Sequence, residues 1–188
     1  MDLFETARQL HTSGLNKSGQ GVLAARLDER DVICITAAKS DFKSMARQDF
    51  CFVNLAGEVV KGASLQELPA NLNFYLKVFQ DRADAIVLAH VYPPYASTFA
   101  AKAQLFELSE NPVQSPVREF IKVECLECPS RFTGLCSCRT DIRKSYAGAD
   151  ALLIIEDGII VLAADLDALF LKVEYIERSA EKSFQPTH

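Results

Sequence analysis

The chain is 188 residues long, enough for one domain with its own core, and its 49% hydrophobic and 24% charged residues exclude a disordered polypeptide. A formal net charge of -5 excludes the concentrated basic surface that nucleic-acid phosphates require. No apolar run is long enough to span a bilayer, and Met1–Thr6 carries acids where a signal peptide carries bases. The expectation is therefore a soluble, cytoplasmic, single-domain protein over residues 1–188, with no nucleic-acid or membrane partner.

Leu3, Phe4, Ala7 and Leu10 share a helical face, and Thr12-Ser13-Gly14 ends that pattern. Val22–Leu27 and Val32–Thr36 are short apolar runs separated by Asp28-Glu29-Arg30-Asp31, which predicts two adjacent antiparallel strands. Phe50–Asn54 and Glu58–Val60 repeat the form around Ala56-Gly57. From Leu68 to Gln80 the spacing becomes helical, with Leu72, Tyr75, Leu76 and Phe79 on one side. Ala85–Ala89 reads as a buried strand, and Pro93-Pro94 turns the chain into an alanine-rich helix reaching about Ala103. Ser109 to Tyr146 is loop-like, a cysteine-rich insertion-like stretch. Ala151–Ile155 and Ile159–Leu162 flank Glu156-Asp157-Gly158, a strong hairpin signal, and Asp165 is placed to cap a closing helix through Leu166, Leu169, Phe170, Val173, Tyr175 and Ile176. The last residues read as a frayed tail.

This order of elements, and several local words, resemble the class II aldolase and adducin-head family. Ile33-Cys34-Ile35-Thr36 resembles the strand before that family's phosphate loop, and Phe50–Val60 resembles its next hairpin. Asp84–Ala96, reading DAIVLAHVYPPYA, is similar to the strand ending in a His-x-His pair ahead of an aromatic turn. Asp157-Gly158 stands where the family has His-Gly, and Asp165–Ser179 resembles its closing helix. The resemblance implies an α/β fold of three layers, α/β/α, around a central, largely antiparallel sheet. It also implies a homotetramer with active sites between subunits, and a small-molecule ligand.

In that family three histidines hold a zinc that stabilises an enediolate, and a carboxylic acid moves protons. By the resemblance only His90 matches a ligand. The second ligand position is Tyr92, the third is Asp157, and the catalytic acid's place falls to Asn71. Leu68-Pro69-Ala70-Asn71 lacks the phosphate-binding serines, and Thr36-Ala37-Ala38-Lys39 and Lys17-Ser18-Gly19-Gln20 match the other phosphate loops only in part. His90, Tyr92 and Asp157 remain open as a rebuilt site for a harder metal, such as iron or manganese. The alternative is a packed phenol, a turn aspartate and a hydrogen-bonded histidine. His11 and His188 show no partners, and Cys34 and Cys51 sit within apolar strands, where cysteine acts as a small hydrophobe.

Cys125, Cys128, Cys136 and Cys138 form two close pairs separated by seven residues. Four thiolates here suit a closed tetrahedral zinc knuckle; an iron–sulfur cluster also takes four cysteines, though neither common ferredoxin spacing matches this one, and surface thiols or one redox disulfide are the alternatives without metal. Arg131, Arg139, Arg143 and Lys144 either favour the thiolates or are solvated loop charges. Three functional classes follow. One is a family member that binds or regulates without cleaving carbon–carbon bonds. Another is a metal-dependent lyase rebuilt on His90, Tyr92 and Asp157, and the last is an iron–sulfur redox protein.

Overall fold

In the computed structural model, residues 2–27, 31–61, 67–108, 115–123 and 146–184 are described. The apolar runs at Val22–Leu27 (β1) and Val32–Thr36 (β2) pair antiparallel, with Ala24 opposite Ile35 and Leu27 opposite Val32. Phe50–Asn54 (β3) and Val59–Lys61 (β4) extend the ladder outward on one side. Val87–Val91 (β5) joins β1 on the other, and the hairpin of Ala151–Ile154 (β7) and Gly158–Ala163 (β8) follows. Phe120–Val123 (β6) closes the eight-stranded sheet, in the order β4-β3-β2-β1-β5-β8-β7-β6. Every pairing is antiparallel except β6 with β7, so the largely antiparallel sheet expected from the resemblance is present.

Strand residues alternate between two cores because successive side chains point to opposite faces. Leu23, Ala25, Val87, Ala89, Val91, Leu153, Ile159 and Val161 bury against helices α1 (Leu3–Thr12), α3 (Pro94–Ala101) and α4 (Leu166–Phe184). Ala24, Ile33, Ile35, Leu88, Leu152, Ile160 and Leu162 bury against α2 (Leu72–Asp81). Sheet and helices thus form the three layers. Asp165 caps α4 as its sequence position predicts, accepting from the Ala168 backbone N–H at 2.7 Å. Pro93 at the start of α3 has no side-chain acceptor to offer. The buried Glu177 of α4 replaces one, accepting from the N–H groups of Tyr95 at 2.8 Å and Ala96 at 2.9 Å.

Several boundaries move for local reasons. Pro69 holds Leu68–Asn71 in a turn, its carbonyl accepting from Leu72 N–H at 3.0 Å, so α2 begins four residues later than the helical spacing alone suggests. β5 runs from Val87 to Val91 rather than over Ala85–Ala89, because a turn at Arg82–Ala85 holds its approach. The loop-like reading of Ser109 to Tyr146 is corrected by β6: Phe120-Ile121-Lys122-Val123 pairs in parallel with Ala151–Ile154, a partner far along the chain.

A charged cluster ties this edge together. Asp150, 1% exposed, accepts from the Arg118 backbone N–H at 3.0 Å and from the Arg118 guanidinium at 2.7 Å, and pairs with Lys172 at 3.1 Å. Arg82 grips Asp84 at 2.7 Å and donates to the carbonyls of Tyr146 and Ala149 at 2.7 and 2.8 Å. Burial would raise the Asp150 carboxyl, but Arg118 and Lys172 hold it below its usual value, and the Arg82 guanidinium holds Asp84 well below as well.

Asp150→Ala strands buried cationic groups and is expected to cost about 3 kcal/mol or more in urea unfolding. Arg118→Ala, whose side chain is 67% exposed, costs about 1 kcal/mol or less. Because Asp84 and Asp150 both have depressed folded-state values, their stabilisation is present above the ordinary carboxyl value of 3.8 and is lost as pH falls below it. Asp150→Asn flattens that acid limb in unfolding measured from pH 5 downward.

Candidate functional site

The N-terminal end of β1, the C-terminal ends of β2 and β5, the β7–β8 turn and the start of α2 meet at one end of the sheet. His90 lies on β5, its neighbours Val22 and Ile160 on β1 and β8, with its ring on the side of the sheet that α2 covers. Tyr92 follows just past the strand and shares that face, because residues two apart on a strand point the same way. Asp157 is brought to both by the β7–β8 hairpin, and Asn71 stands at the first residue before α2, its carbonyl accepting from Tyr75 N–H at 3.2 Å. The structure therefore brings His90, Tyr92 and Asp157 together, whereas the Asn71 side chain makes no capping hydrogen bond to its helix.

The cluster is hydrogen-bonded from within. His90 is 2% exposed; its Nε2 lies 2.6 Å from the Asp157 backbone carbonyl and its Nδ1 lies 2.8 Å from the Tyr75 hydroxyl. A carbonyl only accepts, so Nε2 carries the proton, and Nδ1 accepts from Tyr75. Burial lowers the imidazole below its usual range despite the nearby Asp157 carboxylate, so the ring is neutral. The 3.8 Å approach of Nε2 to Asp157 Oδ1 is consequently not an ion pair. Tyr92 donates its hydroxyl to Asp157 Oδ1 at 3.1 Å, and its ring lies 5.5 Å from that of His90. Burial and then the Asp157 charge push the Tyr92 phenol up to about 12.

Sequence reasoning missed two members of this site. Tyr75 reads as one more apolar position on α2, and only the fold shows its hydroxyl on His90. Asn16, fully buried, receives the Tyr92 backbone N–H and the Ser18 hydroxyl, each at 3.2 Å, and donates to the Gln20 carbonyl at 2.8 Å. Nothing in the local sequence marks it. Two glycines are required here by close approach. A Cβ on Gly21 falls 2.7 Å from the His90 carbonyl, and one on Gly158, where φ is +79°, falls 2.6 Å from the Val91 carbonyl.

The loops that resemble phosphate sites are occupied by the chain itself. Ala37 N–H donates to the Asp49 carbonyl at 2.7 Å and Ala38 N–H to the Glu67 carbonyl at 2.6 Å. Beside Gly19, an Asp41 carboxylate oxygen fills the place where a Cβ would stand. At these three positions an incoming phosphate meets a carboxylate and two N–H donors already engaged.

The donor set at His90, Tyr92 and Asp157 does not fit zinc. One imidazole has its Nδ1 lone pair engaged, the phenol resists ionisation, and only the Asp157 carboxylate is an anionic donor. Among the described residues no three His, Cys, Asp or Glu side chains converge as a metal-binding group. Cys34 and Cys51 are buried, as their apolar strand settings predict, and burial pushes the Cys34 thiol up to about 11. Cys125, Cys128, Cys136 and Cys138 lie outside the described residues. No helix among the described residues is long and apolar enough to cross a membrane.

Residues 1–184 match the class II aldolase and adducin N-terminal domain family. An L-fuculose phosphate aldolase from Methanococcus maripaludis is 22% identical over 154 residues, covering 82% of this chain and 79% of the relative. Among solved structures, an L-fuculose 1-phosphate aldolase superposes with a TM-score of 0.76 at 22% identity, covering 96% of this chain and 82% of that one. A sugar-phosphate aldolase from Thermotoga maritima superposes with a TM-score of 0.72 at 20% identity, covering 96% and 90%.

Gly158→Ala is expected to destabilise the protein by about 2 to 3 kcal/mol, through a positive φ and a carbonyl clash. Tyr92→Phe, which removes one half-buried hydrogen bond, costs about 1 kcal/mol or less. Paired urea titrations of the two variants check this ordering.

Proposed function

The chain belongs to the class II aldolase and adducin N-terminal domain family, and on that premise we propose a member that does not carry out the zinc-dependent carbon–carbon cleavage which the resemblance implies. It serves instead as a binding or regulatory protein, with zinc or an iron–sulfur cluster held by Cys125, Cys128, Cys136 and Cys138. The observation that carries the first part is the self-satisfied phosphate side of the cleft, where the Ala37 and Ala38 N–H groups are spent on Asp49 and Glu67 and the Asp41 carboxylate stands at Gly19. A sugar phosphate gains most of its affinity from such donors, and an amide at Asn71 cannot exchange the proton that cleavage requires. The sequence spacing of the four cysteines supports the second part.

The relatives' own activity favours a second reading, a metal-dependent lyase rebuilt on His90, Tyr92 and Asp157. Retro-aldol assays on L-fuculose 1-phosphate with added zinc or manganese separate the two. No turnover above the buffer blank is expected, and sustained turnover that His90→Ala abolishes and Cys128→Ser spares establishes the lyase instead.

Anaerobic purification followed by metal analysis addresses the cysteines. Close to one zinc per chain in a colourless sample, or iron with visible absorbance, is expected, and the Cys125→Ser/Cys128→Ser double variant loses it. Metal content unchanged by that substitution removes the cysteine site from the proposal. Assembly into a homo-oligomer is part of the same reading, and light scattering at micromolar concentration reports it.

A further inference from the structure

We propose that the backbone carbonyl of Asp157 closes the Nε2 side of His90 to a divalent metal even where the two missing histidines are restored, because it occupies the position on that nitrogen that an ion would take. The inference deepens the non-lyase reading and takes its context from it.

The geometry is specific about which partner matters. Nε2 lies 2.6 Å from the Asp157 carbonyl oxygen, which has no proton to give, so this nitrogen is held as N–H and has no lone pair for a metal. On the other side, the Tyr75 hydroxyl lies 2.8 Å from Nδ1. A hydroxyl both donates and accepts, so Tyr75 is compatible with either neutral tautomer. If the proton moved to Nδ1, the bare Nε2 lone pair would face a carbonyl oxygen at hydrogen-bond distance. The carbonyl admits one tautomer, Nε2–H.

That carbonyl has little room to retreat. Its turn passes through Glu156 at φ +62° and Gly158 at φ +79°. Asp157 N–H donates to the Ile154 carbonyl at 3.1 Å and Glu156 N–H to the Ala100 carbonyl at 3.2 Å, so the turn is fixed both to β7 and to the end of α3. Val91 and Tyr92 stand directly against Gly158. The blocking atom therefore belongs to the backbone, and changing the side chains of residues 92 and 157 leaves it in place.

Long-range 1H–15N correlation of the imidazole nitrogens in the labelled full-length chain reads the tautomer directly. His90 is expected as the Nε2–H form, and its signals are expected to stay unchanged when zinc is added in excess. An Nδ1–H form, or a zinc-induced shift at His90, overturns the inference. Tyr75→Phe is expected to keep the Nε2–H form, since the carbonyl sets it, and conversion to Nδ1–H overturns the claim that Tyr75 is not the discriminating partner. The Tyr92→His/Asp157→His double variant is expected to gain less than about tenfold in zinc affinity at His90, a larger gain showing that the side chains were the barrier. Where a variant fails to fold, the measurement on the unaltered chain decides alone. Zinc on His90 without retro-aldol turnover ends this inference and leaves the functional reading standing. Turnover with His90 untouched by zinc does the reverse.

Discussion

At the cleft end of the sheet, everything is arranged around a buried, uncharged imidazole whose two nitrogens are both hydrogen-bonded. His90 joins three elements through its side chain: its own strand β5, helix α2 through Tyr75, and the β7–β8 turn through the Asp157 carbonyl. Because burial keeps the ring neutral, the two hydrogen bonds carry no ionic cost, and both ring nitrogens are satisfied. Tyr92 and Asn16 extend the same network to the loop ahead of β1. What the resemblance leads one to expect as a ring of metal ligands is here a polar joint within the protein.

The opposite end is held by charge. Asp150 collects Arg118 and Lys172 while Arg82 bridges Asp84 to two backbone carbonyls, so one buried carboxylate and one buried guanidinium each have several partners. Such clusters are strongly destabilising to break, because the group left behind stays buried without its counter-charge. The neutral joint and the charged one sit at the two ends of β5, and the apolar alternation of Val87, Leu88, Ala89 and Val91 fills the distance between them.

Much of the sheet was legible because its strands announce themselves locally. The β1–β2 and β7–β8 hairpins have apolar runs interrupted by acidic or Asp-Gly turns, and the bounds of β1, β2 and β3 agree with the pattern residue for residue. β6 was hidden by contrast, since four residues including Lys122 make a weak signal and its partner β7 is reached only after a long excursion. At the site, the residue types at positions 90, 92 and 157 could be read, and so could the mismatch with a zinc triad. Tyr75 could not, because a helix-face tyrosine gives no hint of where its hydroxyl ends. The Asp157 carbonyl could not in principle: every residue has one, and only the turn geometry decides where it points.

Arg82 lends itself to a different kind of conclusion. By gripping the carbonyls of Tyr146 and Ala149, with the Tyr146 hydroxyl bound to Asp81 at 2.7 Å, the C-terminal end of α2 fixes the place where the chain returns to the sheet. Val123 fixes the place where it leaves, paired with Ile154. Both anchors lie in the framework, so the points at which residues 124–145 depart and return are set by the sheet and by α2. The bonds that set these two points come from Arg82, Asp81 and Ile154, so the anchoring of the chain and any chemistry of the four cysteines are carried by different residues.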